Sequence, residues 1–223
     1  MCFTASASFA AATVLMPVGV FCLYKAHKIH QHYWPFALYP LIFGIQQAVE
    51  GVLWLLLDTA NDELIRIVAL SFVFFSHLFW LFWIPFSCYM IEAGGRKQLL
   101  YLFMLFGGMF GLSMYMPVLL FADWLMVSLI HHSISYELRL IFDGFVPRPL
   151  VRGVYVLIIL MPLLLSSQRY IRYFGMIISM SVMVAVLLFE QTFISVWCFF
   201  AAFLSLYILY MFICLEKQTA VRY

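Results

Sequence analysis

Gly44-Ile45-Gln46-Gln47-Ala48-Val49-Glu50-Gly51-Val52-Leu53-Trp54 lies inside an apolar stretch, about residues 35–57, long enough to cross a bilayer. Two amides and a carboxylate therefore fall where the surroundings are hydrocarbon. A charge at the centre of a span costs about 2.5–3.5 kcal/mol on insertion scales, so Glu50 needs a partner or a task. Gln46 and Glu50 are four residues apart and Gln47 and Glu50 three, so all three project from neighbouring positions of a helix. Two readings stand side by side: hydrogen bonding to a donor on another span, or a polar site.

Outward from this segment the chain is apolar nearly throughout. Hydrophobic residues make up 66% of the 223 residues and charged residues 10%, with a mean hydropathy of +1.05. A soluble domain has about a quarter of its residues charged, so the composition is that of a bilayer protein. A net charge of +2 is too small to suggest nucleic acid, no long basic run occurs, and no nucleic-acid partner is expected. No Lys or Arg precedes the first apolar run, so the first span is expected to stay in the mature protein rather than be cleaved as a signal.

The pattern predicts an all-α integral membrane protein, one transmembrane domain over residues 1–223. Its spans run over about 5–24, 35–57, 64–91, 99–121, 150–166, 173–189 and 193–215. The apolar run 173–215 is too long for one span, and Phe189-Glu190-Gln191-Thr192 is the expected polar turn that divides it. With the N-terminus outside and the C-terminus in the cytoplasm, Lys25, Lys28, Arg96, Lys97, Arg169, Arg172, Lys217 and Arg222 are inner. Arg66, Arg139, Arg148 and Arg152 are then outer, and eight against four follows the positive-inside bias. The acids Asp58, Asp62, Glu63, Asp123, Glu137, Asp143 and Glu190 fall outside as well.

The longest connection, about 122–149, is an outer one. Apolar and polar residues mix at helical spacing over Trp124 to Phe142, which predicts a helix lying on the interface, ended by Asp143-Gly144 and Pro147-Arg148-Pro149. Gly107-Gly108 and Gly111 in the fourth span form a small-residue face that permits close helix approach.

His77, near the middle of the third span, has four readings: metal ligand, proton carrier, partner of Glu50, or hydrogen-bonded packing. No His-x-x-x-His pair occurs within a span, so the intramembrane zinc-hydrolase signature is absent. Cys22, Cys88 and Cys214 read as small buried hydrophobes near inner span ends. Cys2 and Cys198 fall near the outer side, where they could pair as a disulfide or, with Glu50 and His77, supply a soft-metal site. Cys2 would also become an N-terminal aminothiol on removal of Met1, though no base is evident for it. His27, His30 and His32, beside Lys25, Lys28, Tyr33 and Trp34, match a belt of basic and aromatic anchors better than a metal site. The adjacent His131 and His132 carry the same two readings. The scattered Met and Phe residues read as lipid contact and packing, and no lysine inside a span is available for a retinal Schiff base.

Three blocks carry a resemblance: Met1-Cys2-Phe3-Thr4-Ala5-Ser6-Ala7-Ser8-Phe9, then Gly44-Ile45-Gln46-Gln47 with Glu50-Gly51 and Trp54, then Trp197-Cys198-Phe199-Phe200-Ala201-Ala202. They resemble an uncharacterised bacterial family of multi-pass membrane proteins beginning Met-Cys-Phe-Ser-Ala, from which Thr4 departs by keeping a hydroxyl in place of serine. The resemblance implies a bacterial inner-membrane location and no established activity. It singles out Cys2, Gln46, Gln47, Glu50, Trp197 and Cys198, all of which the topology assigns to the outer half of the membrane.

An outward-facing polar site within the membrane is therefore expected. In the first reading it binds a small ligand or metal through Gln46, Gln47, Glu50, Trp197 and Cys198 and serves sensing. The alternatives are an intramembrane enzyme with Glu50 as general acid or base, and a small-solute transporter, the latter disfavoured by an odd span count and no visible repeat. Whether the chain is an enzyme, which ligand or transition metal it takes, and its oligomeric state are left open by the sequence.

Overall fold

The structure is a computed structural model describing residues 4–29, 31–59, 61–130, 133–188 and 193–220. Helix α1 runs over Ala5–Ile29. A 3-10 turn at Gln31–Tyr33 and the short α2, Trp34–Ala37, lead into α3, Tyr39–Leu56, with Pro35 and Pro40 in the first turns of α2 and α3. Asn61 caps α4, Asp62–Phe74, by accepting from the Leu64 N–H at 3.1 Å. A π-helical turn at Phe75–Phe79 then joins α4 to α5, Trp80–Ile91. Next come α6, Gly95–Leu120, then α7, Arg148–Leu164, and α8, Arg169–Leu188. Last are α9, Phe193–Leu204, and α10, Leu206–Ala220, separated by a turn at Ser205.

Among the described residues, six helical stretches are long and apolar enough to cross a membrane: Ala5–Ile29, Gln31–Leu56, Asp62–Ile91, Gly95–Leu120, Arg169–Leu187 and Ser195–Gln218. These match six of the expected spans. The expected fifth span is α7, shorter at 17 residues and about 25 Å long at 1.5 Å per residue. The dividing turn expected at Phe189-Glu190-Gln191-Thr192 falls outside the described residues.

Polar contacts gather several helix ends at one end of the bundle. Lys25 Nζ pairs with the Glu216 carboxylate at 2.6 Å, joining α1 to α10. Ser166 Oγ and the Ser167 N–H each donate to Glu92 Oε1 at 2.6 Å, joining the α7–α8 connection to the end of α5. Tyr33 OH donates to Gln168 Oε1 at 3.2 Å. The basic and aromatic anchors sit at this end too, with Lys28 over the Tyr24 ring at 4.4 Å and His27 and His32 exposed.

The opposite end differs from the sequence expectation. In place of an interfacial helix over Trp124–Phe142, a 3-10 turn at Ala122–Trp124 leads into a β-hairpin, β1 Leu125–Ile130 antiparallel to β2 Ser133–Leu138. Period two wins over period 3.6 here. Leu125, Val127 and Leu129 alternate along β1 and pair with Leu138, Tyr136 and Ile134, so one face is apolar in both strands. That face lies on the bundle: Ile134 is wholly buried and Tyr136 stacks on Phe72 of α4 at 4.7 Å. Beyond β2, Arg148 binds both Asp143 oxygens, at 3.1 and 2.9 Å, and the Leu138 carbonyl at 2.9 Å, while Asp143 also accepts from the Leu140 N–H. Gly144, at φ +93°, takes the left-handed conformation that the bend requires.

The small-residue face of α6 does what its spacing predicts. A Cβ on Gly107 would collide with the Leu81 carbonyl of α5, and one on Gly111 would sit 2.9 Å from the His77 carbonyl. The backbones of α6 and the π-turn region thus approach as closely as glycine allows.

Gly107→Ala is expected to lower stability by about 1–3 kcal/mol through overpacking. Gly108→Ala, whose Cβ meets only the Phe82 ring at 3.5 Å, should stay within about 0.5 kcal/mol; thermal unfolding in one detergent compares the two. A second prediction concerns acid. Burial pushes the Asp143 carboxyl up, but the Arg148 hydrogen bond, the Leu140 N–H and the charges of Arg148 and Arg139 outweigh it and hold it below its ordinary value of 3.8. Its stabilisation is present above that value and is lost as pH falls through the depressed native one. Hydrogen exchange over residues 139–148 should accelerate in that range, and Asp143→Asn should abolish the acid dependence.

Candidate functional site

Glu50 is wholly buried on α3. Its Oε1 accepts from Ser195 Oγ of α9 at 2.6 Å and its Oε2 from Gln47 Nε2 at 3.2 Å. Gln46 Oε1 accepts from Trp80 Nε1 of α5 at 2.8 Å, and the same amide faces the Cys198 thiol. Helical spacing explains the grouping: Gln46, Gln47 and Glu50 share one face of α3, while Ser195 and Cys198, three apart, share one face of α9. Both faces meet in the interior, where Trp80 and Ser195 donate to Gln46 and Glu50 of α3, while Gln46 Nε2 and Gln47 Oε1 are buried with no hydrogen-bond partner.

His77 occupies the π-turn, where its Nδ1 is 2.9 Å from Ser76 Oγ. The π geometry shifts the backbone pairing, the Trp80 N–H reaching back to the Phe75 carbonyl. Tyr155 OH of α7 donates to the adjacent Ser76 carbonyl. The Tyr155 ring is 6.3 Å from the His77 ring and packs edge-on to Trp197 at 5.6 Å.

A cavity of about 750 Å³ lies between the hairpin and these helices. Its floor is His77, Tyr155, Ser195, Trp197 and Cys198, and β2 contributes Ile134, Ser135 and Tyr136 to one side. The exposed rim carries Asp123, Glu137, Arg139, Arg148 and Arg152. A narrow, wholly apolar crevice of about 30 Å³ shares Tyr155, Trp197 and Cys198 with that floor and continues between Trp80, Phe174, Ile178 and Ala201.

Of the residues expected at the site, Trp197 and Cys198 line the cavity directly. Gln46, Gln47 and Glu50 do not; they stand behind the wall, Glu50 one hydrogen bond away through Ser195. His77, for which the sequence left four readings open, lines the floor. Among the described residues no three His, Cys, Asp or Glu side chains group closely enough to hold a metal. Cys2 lies outside the described residues, and with it fall the expected metal set of Cys2, Glu50, His77 and Cys198 and the Cys2–Cys198 pair. His30, His131 and His132 lie outside them too. Sequence reasoning missed Ser195, Tyr155 and the arginine rim. The i, i+3 spacing of Ser195 and Cys198 was a usable signal for the first; nothing local marked Tyr155, whose role comes from packing.

The chain belongs to DUF6629, a family of unknown function, whose match covers residues 1–222. This agrees with the resemblance to an uncharacterised family seen in the sequence. No curated protein and no solved structure matches the chain.

Ser195→Ala removes a donor from a buried carboxylate and is expected to cost about 1–3 kcal/mol. In Glu50→Gln the same serine change should cost markedly less, because an amide needs that donor less than a carboxylate does. The four proteins of this cycle, compared by thermal unfolding, should give a clear coupling energy; additive effects would mean that the contact carries none.

Proposed function

We propose that this protein is a seven-span protein of the bacterial inner membrane whose outward-facing cavity binds a small ligand, in a binding or sensing role. The carrying observation is the cavity of about 750 Å³ with a buried aromatic and polar floor and a charged, exposed rim. That combination of concave apolar volume and a few convergent polar groups is the usual form of a ligand site between helices. Helix α7 is the seventh span in this reading, supported by its apolar composition and by burial of Ile158, Ile159 and Leu163. The eight-to-four distribution of basic residues supports an N-terminus outside and a cytoplasmic C-terminus. The hairpin, rim and Ser195 then face outward. The bacterial location rests on the family resemblance of the sequence.

A second reading, an enzyme with Glu50 as general acid or base, draws on one contact: Ser195 lines the cavity and donates directly to Glu50 at 2.6 Å. The serine hydroxyl would carry a proton between the carboxylate and a bound molecule. Binding without turnover separates the two readings.

Cys198 offers the test. In vesicles of known sidedness, a membrane-impermeant methanethiosulfonate applied outside is expected to modify Cys198 faster than Cys88, which is wholly buried away from the cavity. Peptide mass mapping identifies the site. Equal rates for both thiols, or modification only from the inner side, would overturn the outward-facing cavity.

A further inference from the structure

The last membrane-competent stretch, Ser195–Gln218, is interrupted at Ser205. Of its two parts, α9 alone carries floor residues of the cavity, Ser195, Trp197 and Cys198. We infer that α9 is a hinged half-span, latched to α3 by the Ser195–Glu50 contact, which swings about Ser205 when a molecule in the cavity engages its floor. This rests on the ligand-binding reading above and names how occupancy of the cavity is passed on.

Three features carry it. The first is the break itself. The Ser205 N–H is shared between the Ala201 and Ala202 carbonyls at 2.9 and 3.2 Å, and the Ile208 N–H reaches back only to the Ser205 carbonyl, at 2.9 Å. Ser205 Oγ donates to the Ala202 carbonyl, a back-bond of the kind that bends helices. Ala202 and Ser205 are wholly buried, so the irregular backbone is kept from lipid, the condition for such a break at membrane depth. Hinges absorb their motion at element ends like this one. The second feature is the unequal packing of the two halves. Ile208, Met211 and Phe212 of α10 have no exposed surface, and Glu216 pairs with Lys25 at 2.6 Å. On α9, by contrast, Trp197 and Ala201 border the apolar crevice of about 30 Å³. Atoms lining a gap lack contacts on that side, so a shift of α9 into it gains contacts before it meets resistance. The third is a second position for the latch. Ser195 Oγ donates to Glu50 Oε1 at 2.6 Å, while Gln47, whose Nε2 holds Oε2, keeps its own Oε1 buried with no partner. An open acceptor on the side chain bonded to Glu50 offers the hydroxyl a new partner when α9 moves, so the displaced state need not strand a buried donor.

Hydrogen exchange read by mass spectrometry, on the full-length protein in phosphatidylcholine nanodiscs, tests the hinge without a ligand. Amides over residues 198–204 should exchange about tenfold faster than those over 208–215, with the step at Ser205, because exchange follows local opening. Glu50→Gln weakens the latch and should raise exchange over 198–204 by about a further tenfold while leaving 208–215 unchanged. Ala201→Val, which fills the crevice, and Ser205→Ala, which removes the back-bond, should each slow exchange over 198–204; the second serves if the first does not fold. A sulfonatoethyl methanethiosulfonate adduct on Cys198 puts bulk on the cavity floor and should raise exchange in α9 alone. No step at Ser205, or equal changes in both halves on Glu50→Gln or on the adduct, would overturn the inference. A missing step with Cys198 reactive from outside overturns the hinge and leaves the cavity reading standing. A step with Cys198 unreactive overturns the cavity reading, and with it the coupling of the hinge to a ligand.

Discussion

A carboxylate enclosed by hydrocarbon must be met by donors, and this requirement at Glu50 ties the structure together. Ser195 is 145 residues away along the chain, yet its hydroxyl, with the Gln47 amide, donates to the carboxyl group. Leaving a buried polar atom without its hydrogen-bond partner costs more than the bond contributes in net stability. The contact therefore acts chiefly on register. It sets the depth and rotation of α9 against α3, and with them the positions of Trp197 and Cys198.

Those positions become a cavity floor through a second set of constraints. Glycines 107 and 111 bring α6 against the backbone of α5 and the π-turn with no room for a methyl group. The π-turn takes up one residue more than an α-turn would, and the Ser76 carbonyl is met from α7 by the Tyr155 hydroxyl. Tyr155 is thereby held over His77 and edge-on to Trp197. The floor is thus assembled from α5, α7 and α9 by polar contacts that cross between helices, while the hairpin, seated by Tyr136 on Phe72, forms the wall above.

The cavity and the buried polar group are adjacent but distinct. Glu50 does not touch the cavity; Ser195 stands between them. A ligand would meet the hydroxyl, and any change in that hydroxyl's hydrogen bonding would be felt by the carboxylate and by the α3–α9 contact. This gives a bound molecule a short physical route to the packing of two spans, which suits sensing as readily as catalysis.

Much of this was legible in the sequence. Of the seven spans marked by length and apolarity, six are helices long and apolar enough to cross a membrane, because a bilayer imposes both directly on composition. Gln46, Gln47 and Glu50 announced a buried polar face through their spacing on one helix, and Gly107 and Gly111 announced a close approach. The region over residues 122–149 was misjudged because short alternating strands and amphipathic helical turns share many apolar positions; contact with α4 decided between them. The joining of Glu50 to Ser195, the bond from Tyr155 to the Ser76 carbonyl, and the separation of floor from rim had no local signature. They arise from side chains far apart in sequence meeting across helices, and only the tertiary packing, which fixes the rotation of each helix about its axis, determines which of them meet.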